Sequence, residues 1–325
     1  MITRRKFLTT SAVFGTSLVV HPWDVASSFG RAAGSLTAPL LHSRRGDTLI
    51  TILHTNDTHS QIDPLPANDK VYPGKGGVAR RATLVKRVRK ENPNTLLIDG
   101  GDVFQGTPYF NFYKGEVEYK AMSAIGYDVG TLGNHEFDNG VEALAAAMQF
   151  AKFDLVSANY DVRGTLLQSK VKQYVVREIK GVRIGLFGLG ISPVGLITPA
   201  NFKGVTYRDP VVAAREVVKT LRETERCLMV VAMTHLGYYP EPRAGAIGDS
   251  QVAAQVDGID FIAGGHTHTF MEKPVRVKQP SGQETLIFQV GKSGIYLGRV
   301  DFAVRSGKIV AAAGRLLDLR DESLA

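Results

Sequence analysis

Residues 127–138 read Tyr-Asp-Val-Gly-Thr-Leu-Gly-Asn-His-Glu-Phe-Asp. The first six, Tyr127 to Leu132, predict a short buried strand, so Gly133-Asn134-His135-Glu136-Phe137-Asp138 stands at a strand's carboxyl end. Open α/β sheets bind their ligands just outside such ends. The stretch therefore sets the fold class, α/β, and the place to look for chemistry. Gly133 lets the chain turn sharply as it leaves the sheet. Asn134 offers an amide oxygen suited to a hard or borderline metal, and His135 can take or give a proton near neutral pH. Asp138, three residues on, can orient that imidazole. Asn-His also occurs in ordinary turns, so the weight of the reading lies in what flanks it.

Upstream, Thr48 to Thr55 predicts the first strand, ending in Asn56-Asp57-Thr58-His59. Asp57 and His59, at i and i+2, point the same way if the backbone stays extended. A lone Asp-x-His after a strand is more commonly a polar turn, and His54 inside the strand reads as a packed or hydrogen-bonded side chain. A helix is expected over 78–91, its Lys and Arg residues forming a solvated face. Thr95 to Asp99 predicts a second strand, closing on Gly100-Gly101-Asp102. Asp99 itself reads equally as a capping or supporting carboxylate. The aromatics of 104–113 (Phe104, Tyr109, Phe110, Phe112, Tyr113) suit a pocket wall and a core cover alike.

Downstream, helices are expected over 116–125, 141–150 and 210–226, and strands over 153–158, 171–178 and 182–189. The last two strands join across Lys180-Gly181 as a hairpin. Leu228 to Thr234 predicts a buried strand with His235 at its end, and Tyr238-Tyr239-Pro240 follows as a candidate lid or packing flap. Ile259 to Ala263 closes on Gly264-Gly265-His266-Thr267-His268, where two histidines repeat the i, i+2 spacing. Residues 285–290 and 298–304 look like strands of a second sheet.

The 325 residues, 44% hydrophobic and 22% charged, suit one large or two small soluble domains. The net charge is +8, but residues 1–46 hold six basic side chains against one acid, leaving about +3 for the rest. That is too little to argue for nucleic acid. A single cysteine, Cys227, excludes an intramolecular disulfide and any multi-cysteine metal site, and it reads as packing.

Arg4-Arg5-Lys6 precedes a mildly apolar run, Ala12 to Val20, in the pattern of a twin-arginine export signal. The run is shorter than the roughly 20 apolar residues a membrane span needs. Residues 1–46 are therefore expected to be export signal and linker and 47–325 the catalytic domain, with the mature protein periplasmic or extracellular and without a stable membrane span.

Five of the eight histidines, two aspartates and one asparagine thus sit where strands end. Nitrogen and oxygen donors without thiolate suit Mn, Zn or Fe. Seven ligand candidates plus a separate His135 are too many for one ion and suit two ions roughly 3.5–4 Å apart.

Asp57-x-His59, Gly101-Asp102, Gly133-Asn134-His135-Glu136, His235 and Gly264-Gly265-His266-x-His268 together resemble the calcineurin-like metallophosphoesterases. Ile-Leu-His-Thr-Asn-Asp-x-His and Gly-Asn-His-Glu-Phe-Asp narrow the resemblance to the periplasmic 5'-nucleotidase branch. It implies a four-layer α/β/β/α sandwich. It assigns Asp57, His59 and His268 to one metal, Asn134, His235 and His266 to a second, and Asp102 to a bridge. A metal-bridging hydroxide would attack phosphorus in line, His135 would stabilise charge or protonate the leaving oxygen, and Asp138 would orient it. Histidine at 268, where this branch can carry glutamine, leaves the metal preference open. The branch also implies a C-terminal domain that holds the base and phosphates; with the sequence ending at Ala325, the expectation is a catalytic half without that domain. The expected substrate is a phosphate monoester, nucleotides first. The alternatives are a cyclic-nucleotide or general phosphodiesterase, or the catalytic subunit of a split nucleotidase whose substrate-binding domain is a separate chain.

Overall fold

The computed structural model describes residues 39–41, 44, 46–242 and 246–319; the expected export signal lies outside them. The strands are β1 (Thr48–Thr55), β2 (Thr95–Asp99), β3 (Val129–Thr131), β4 (Asp154–Val156), β5 (Tyr160–Asp161), β6 (Val171–Lys172), β7 (Tyr174–Ile179), β8 (Val182–Gly190), β9 (Thr206–Tyr207), β10 (Met229–His235), β11 (Phe261–Ala263), β12 (Val275–Lys278), β13 (Glu284–Phe288), β14 (Tyr296–Arg305) and β15 (Lys308–Asp318). The helices are α1 (Val78–Glu91), α2 (Pro108–Tyr113), α3 (Glu116–Ile125), α4 (Gly140–Ala147), α5 (Pro210–Lys219) and α6 (Asp249–Gln255).

Two sheets form, in the orders β15-β14-β1-β2-β3-β4-β6 and β12-β13-β11-β10-β8-β7. Strands β1 to β4 and β6 run parallel, as do β8, β10, β11 and β13. Parallel strands bury both faces. Alternate residues serve two cores: Ile50, Ile52, Leu96 and Ile98 pack with β8, β10 and β11, while Leu53 and Leu97 pack with Leu84, Val85 and Val88 of α1 and Met122 of α3. Helices α5 and α6 cover the far side of the second sheet through Val211, Ala214, Val252 and Ala253. The result is the expected four-layer α/β/β/α sandwich, with every parallel strand of either sheet ending toward one rim.

Several expectations need correction. Residues 298–304 do not join the second sheet. As part of β14 they pair antiparallel with β1, because β1 has a free edge beside β2 that a returning strand can fill. The helix expected over 210–226 is α-helical only to Lys219 and continues as a π turn to Thr224. The helix expected over 141–150 becomes a 3-10 turn after Ala147. The basic face of α1 is not wholly solvated: Arg81 is buried and donates to the Tyr127 hydroxyl. Cys227 is buried, as expected of a packing residue. Among the described residues, no helix is long and apolar enough to cross a membrane.

His54 faces the inter-sheet core. Its ring meets Phe261 and Phe288 edge-on at 5.6 and 5.1 Å, and neither ring nitrogen has a hydrogen-bond partner. It is packed, not hydrogen-bonded. Gly298 opposite makes the room: a Cβ there would lie 2.1 Å from His54 Nε2.

Candidate functional site

The loops after β1, β2, β3, β10 and β11 meet at the common rim. The β1 and β2 loops are tied by backbone bonds from Asp57 N to Gly101 O, His59 N to Asp102 O and Ser60 N to Val103 O, at 2.9, 3.1 and 2.7 Å. Gly133 has no room for a side chain, since a Cβ would lie 2.2 Å from Asp102 Oδ1; this close approach brings the β3 loop against Asp102.

Two groups of possible ligand atoms result. Asp57, His59 and His268 converge in one, and Asp102, His235 and His266 in the other, each with its atoms within 4.8 Å of one another. Asn134 Oδ1 stands 3.1 Å from His266 Nδ1, and Asp57 Oδ1 lies 3.9 Å from His235 Nε2, between the groups. All seven candidate ligands therefore meet at one place.

They do not meet in the way the spacing suggested. Asp57 and His59 are not extended: φ is 50° and 47°, and Asp102, His266 and His268 are left-handed too, at 53°, 79° and 52°. Five of the twelve described non-glycine residues with positive φ are thus candidate ligands. Such backbone costs about 1–3 kcal/mol per residue, persists only where surrounding contacts hold it, and clusters at functional sites. The two i, i+2 pairs also behave differently, since His266 and His268 serve separate groups.

Several lone pairs are aimed at the same space. His235, fully buried, donates from Nδ1 to Gly100 O at 2.9 Å, so its Nε2 carries the lone pair. That atom lies 2.9 Å from Asp102 Oδ2 without completing a hydrogen bond. His59 likewise uses Nδ1 on Phe104 O at 3.2 Å, and its Nε2 sits 2.9 Å from His268 Nε2. The Nε2 lone pair of His235 facing the Asp102 carboxylate in a buried pocket requires a positive charge between them. The titration behaviour agrees. Burial alone would lower His235, but the facing Asp102 overrides it and pushes the imidazole up; burial would raise Asp102, but His235 holds it below the usual carboxylate range. A proton fills the role a cation would fill. An N/O donor set of this kind fits two divalent ions.

His135 and Asp138 stand beside this cluster. His135–Phe137 is a 3-10 turn, which aligns i with i+3, and His135 Nδ1 lies 2.8 Å from Asp138 Oδ2. The backbone N of His135 donates to Asp102 Oδ1 at 2.9 Å, and its ring is edge-on to His59 at 5.5 Å. Its hydrogen bond with Asp138 raises its pKa above the ordinary value.

Two of the three supporting carboxylates, Glu136 and Glu241, went unread in the sequence. Buried Glu136 accepts from Gly133 N (2.6 Å), Val103 N (2.7 Å) and Asp102 N (3.1 Å), locking the β2 and β3 loops together. A glutamate inside an otherwise buried motif was the signal for it. Asp99 accepts from Thr55 Oγ1 and Gly101 N, which resolves it as a supporting group. Glu241 reaches His266, and nothing in the sequence marked it. The aromatic segment divides: Phe104 and Phe110 are core, while Phe112 and Tyr113 are exposed.

The calcineurin-like phosphoesterase family model matches residues 50–270, which contain all of these loops. The chain belongs to the calcineurin-like phosphoesterase family. Members of this family hydrolyse phosphoesters and use divalent metals. Similar proteins include a 5'-nucleotidase of Vibrio vulnificus, 33% identical over 90% of this chain and 56% of that one. The trifunctional nucleotide phosphoesterase YfkN of Bacillus subtilis is 31% identical over 78% of this chain and 18% of its own length. Among solved structures, a 5'-nucleotidase precursor from Thermus thermophilus superposes with a TM-score of 0.73 at 33% identity, covering 83% of this chain and 54% of that one. The phosphoesterase chain thus spans about half the length, or less, of these relatives.

Proposed function

We propose that the chain is an exported dinuclear-metal phosphoesterase that hydrolyses phosphate monoesters, nucleotides foremost. The observation that carries this reading is the convergence of two three-residue groups of N and O donors beside a His135–Asp138 pair. Asp57, His59 and His268 would hold one ion, Asn134, His235 and His266 the other, and Asp102 would bridge. When bound, two such ions supply Lewis-acid charge and activate water for in-line displacement. The rest falls to the chain itself. Glu136 ties Asp102 and Val103 to Gly133, the residue before Asn134. Asp138 keeps the proton on His135 Nδ1, which sets the direction in which Nε2 faces. His135 then donates to the leaving oxygen or steadies the charge that forms on it.

The nucleotide preference rests on the resemblance to 5'-nucleotidases. A phosphodiesterase reading remains second, because the same two groups of donors could serve a diester. A split nucleotidase with a separate substrate-binding chain is a third arrangement, resting on the same resemblance. The assignment of residues 1–46 to export signal and linker and 47–325 to the catalytic domain, with release to the periplasm or outside, rests on Arg4-Arg5 and the apolar run behind them.

The test is phosphate release from nucleoside monophosphates, cyclic nucleotides, a sugar phosphate and a nitrophenyl phosphate after loading with Mn, Zn or Fe. His135→Ala should lose about 10²–10⁴-fold. An unchanged rate in that variant removes His135 from the reaction, and a cyclic-nucleotide preference moves the assignment to the diesterases.

A further inference from the structure

We infer that Glu241 is a positioning residue of the metal centre: its carboxylate fixes the ring of His266 so that Nδ1 faces the second ion, and it latches the loop after β10 onto the site. The inference rests on the two-ion reading above.

Glu241 Oε1 lies 2.5 Å from His266 Nε2, with the glutamate side chain a quarter exposed and the histidine 8%. A carboxylate accepts only, so the proton belongs on Nε2 and Nδ1 is left with its lone pair. That lone pair points at Asn134 Oδ1, another acceptor, 3.1 Å away. One ring thus has a carboxylate behind it and an acceptor-lined space before it, the arrangement in which an outer carboxylate selects the tautomer and raises the basicity of a metal-bound imidazole. His266 is held at the backbone as well, where its N–H donates to both oxygens of Asp57 at 3.1 and 3.0 Å. Backbone and ring are fixed by carboxylates from two other loops, Asp57 after β1 and Glu241 after β10.

The loop that carries Glu241 is built to deliver it. Gly237 N donates to Gly265 O at 3.0 Å and Tyr238 N to Thr267 Oγ1 at 3.2 Å, which zips the start of the loop along the segment holding His266. Its other side rests on the first turn of α6, where Asp249 N and Ser250 N donate to Gly237 O and Tyr238 O at 2.7 and 3.1 Å. Glu241 then sits between Pro240 and Pro242. Proline fixes its own φ, and the residue before a proline is confined to extended backbone, so the glutamate is presented with little conformational freedom left to lose. A surface acid meant only for solubility has no need of that restraint.

The test is Mn²⁺ titration of the full chain by calorimetry, with E241A and E241Q beside the wild type and thermal unfolding of each metal-free protein as the folding control. Glutamine keeps an acceptor for His266 Nε2–H and loses only the charge. The expected result is two ions in the wild type, and in E241A one site unchanged with the other weakened by about 10–100-fold. E241Q should recover most of that loss, with the metal-free unfolding temperatures matched. Two undiminished sites in E241A would overturn the inference, as would equal weakening of both sites. If the wild type itself takes up fewer than two ions, the two-ion reading fails first and the role of Glu241 falls with it.

Discussion

Replacing His54 by leucine should make the protein less sensitive to acid without touching the site. The ring is fully buried between Phe261 and Phe288 with both nitrogens unpartnered, and burial lowers its pKa from 6.5 to about 3. Between those values the unfolded chain binds a proton that the folded chain refuses, so stability is lost as pH falls below 6.5 and the loss levels off below about 3. Linkage puts the cost at about 2 kcal/mol at pH 5 and close to nothing at pH 7.5. Leucine has no such proton to refuse, and it removes two unsatisfied nitrogens whose burial costs about 1–3 kcal/mol each. The assay is urea denaturation of the chelator-treated wild type and His54→Leu at pH 7.5 and 5.0. Asp99, Glu136 and Asp249, all raised by burial, titrate alike in both proteins and cancel in the difference. The stability gap should shift by about 2 kcal/mol in favour of the variant at the lower pH. A gap independent of pH would refute the account of a neutral, unpartnered His54.

Gly298→Ala should destabilise by about 1–3 kcal/mol, since its Cβ would fall 2.1 Å from the His54 ring; in a His54→Ala background most of that cost should vanish, which a double-mutant denaturation cycle reads directly. Glu136→Gln should lose about 1–3 kcal/mol in thermal unfolding, because an NH₂ then faces backbone donors that the carboxylate accepted. Asp138→Asn should move the basic limb of the kcat/KM profile to lower pH. The hydrogen bond that His135 donates to Asp138 raises the imidazole's pKa, activity requires the protonated ring, and that form is lost as pH rises through its pKa. A limb that stays in place would assign it to another group.

How much of this was legible in the sequence depends on the kind of signal. Strand ends were: β-branched runs closing on Asp57, Asp102, Asn134, His235 and His266 put every candidate ligand at one common rim, because parallel strands must all end on one side. Backbone handedness was not. Five candidate ligands sit at positive φ, and nothing in Asp-x-His or His-x-His distinguishes an extended pair from a left-handed one. Sheet membership of 298–304 was also invisible, since an alternating strand carries no record of its partner and only the free edge of β1 decides it. The supporting acids divide in the same way. Glu136 lay inside a quoted motif with no role attached, whereas Glu241 is 25 residues from His266 and is brought to it only by the loop's fold.

The most direct measurement of the central claim is metal content and phosphate release followed together, by plasma mass spectrometry and a nucleoside monophosphate assay, as ions are returned to chelated protein. The account predicts that activity is absent without metal and reaches its plateau at two ions per chain. Full activity at less than one ion per chain, or in metal-free protein, would contradict it.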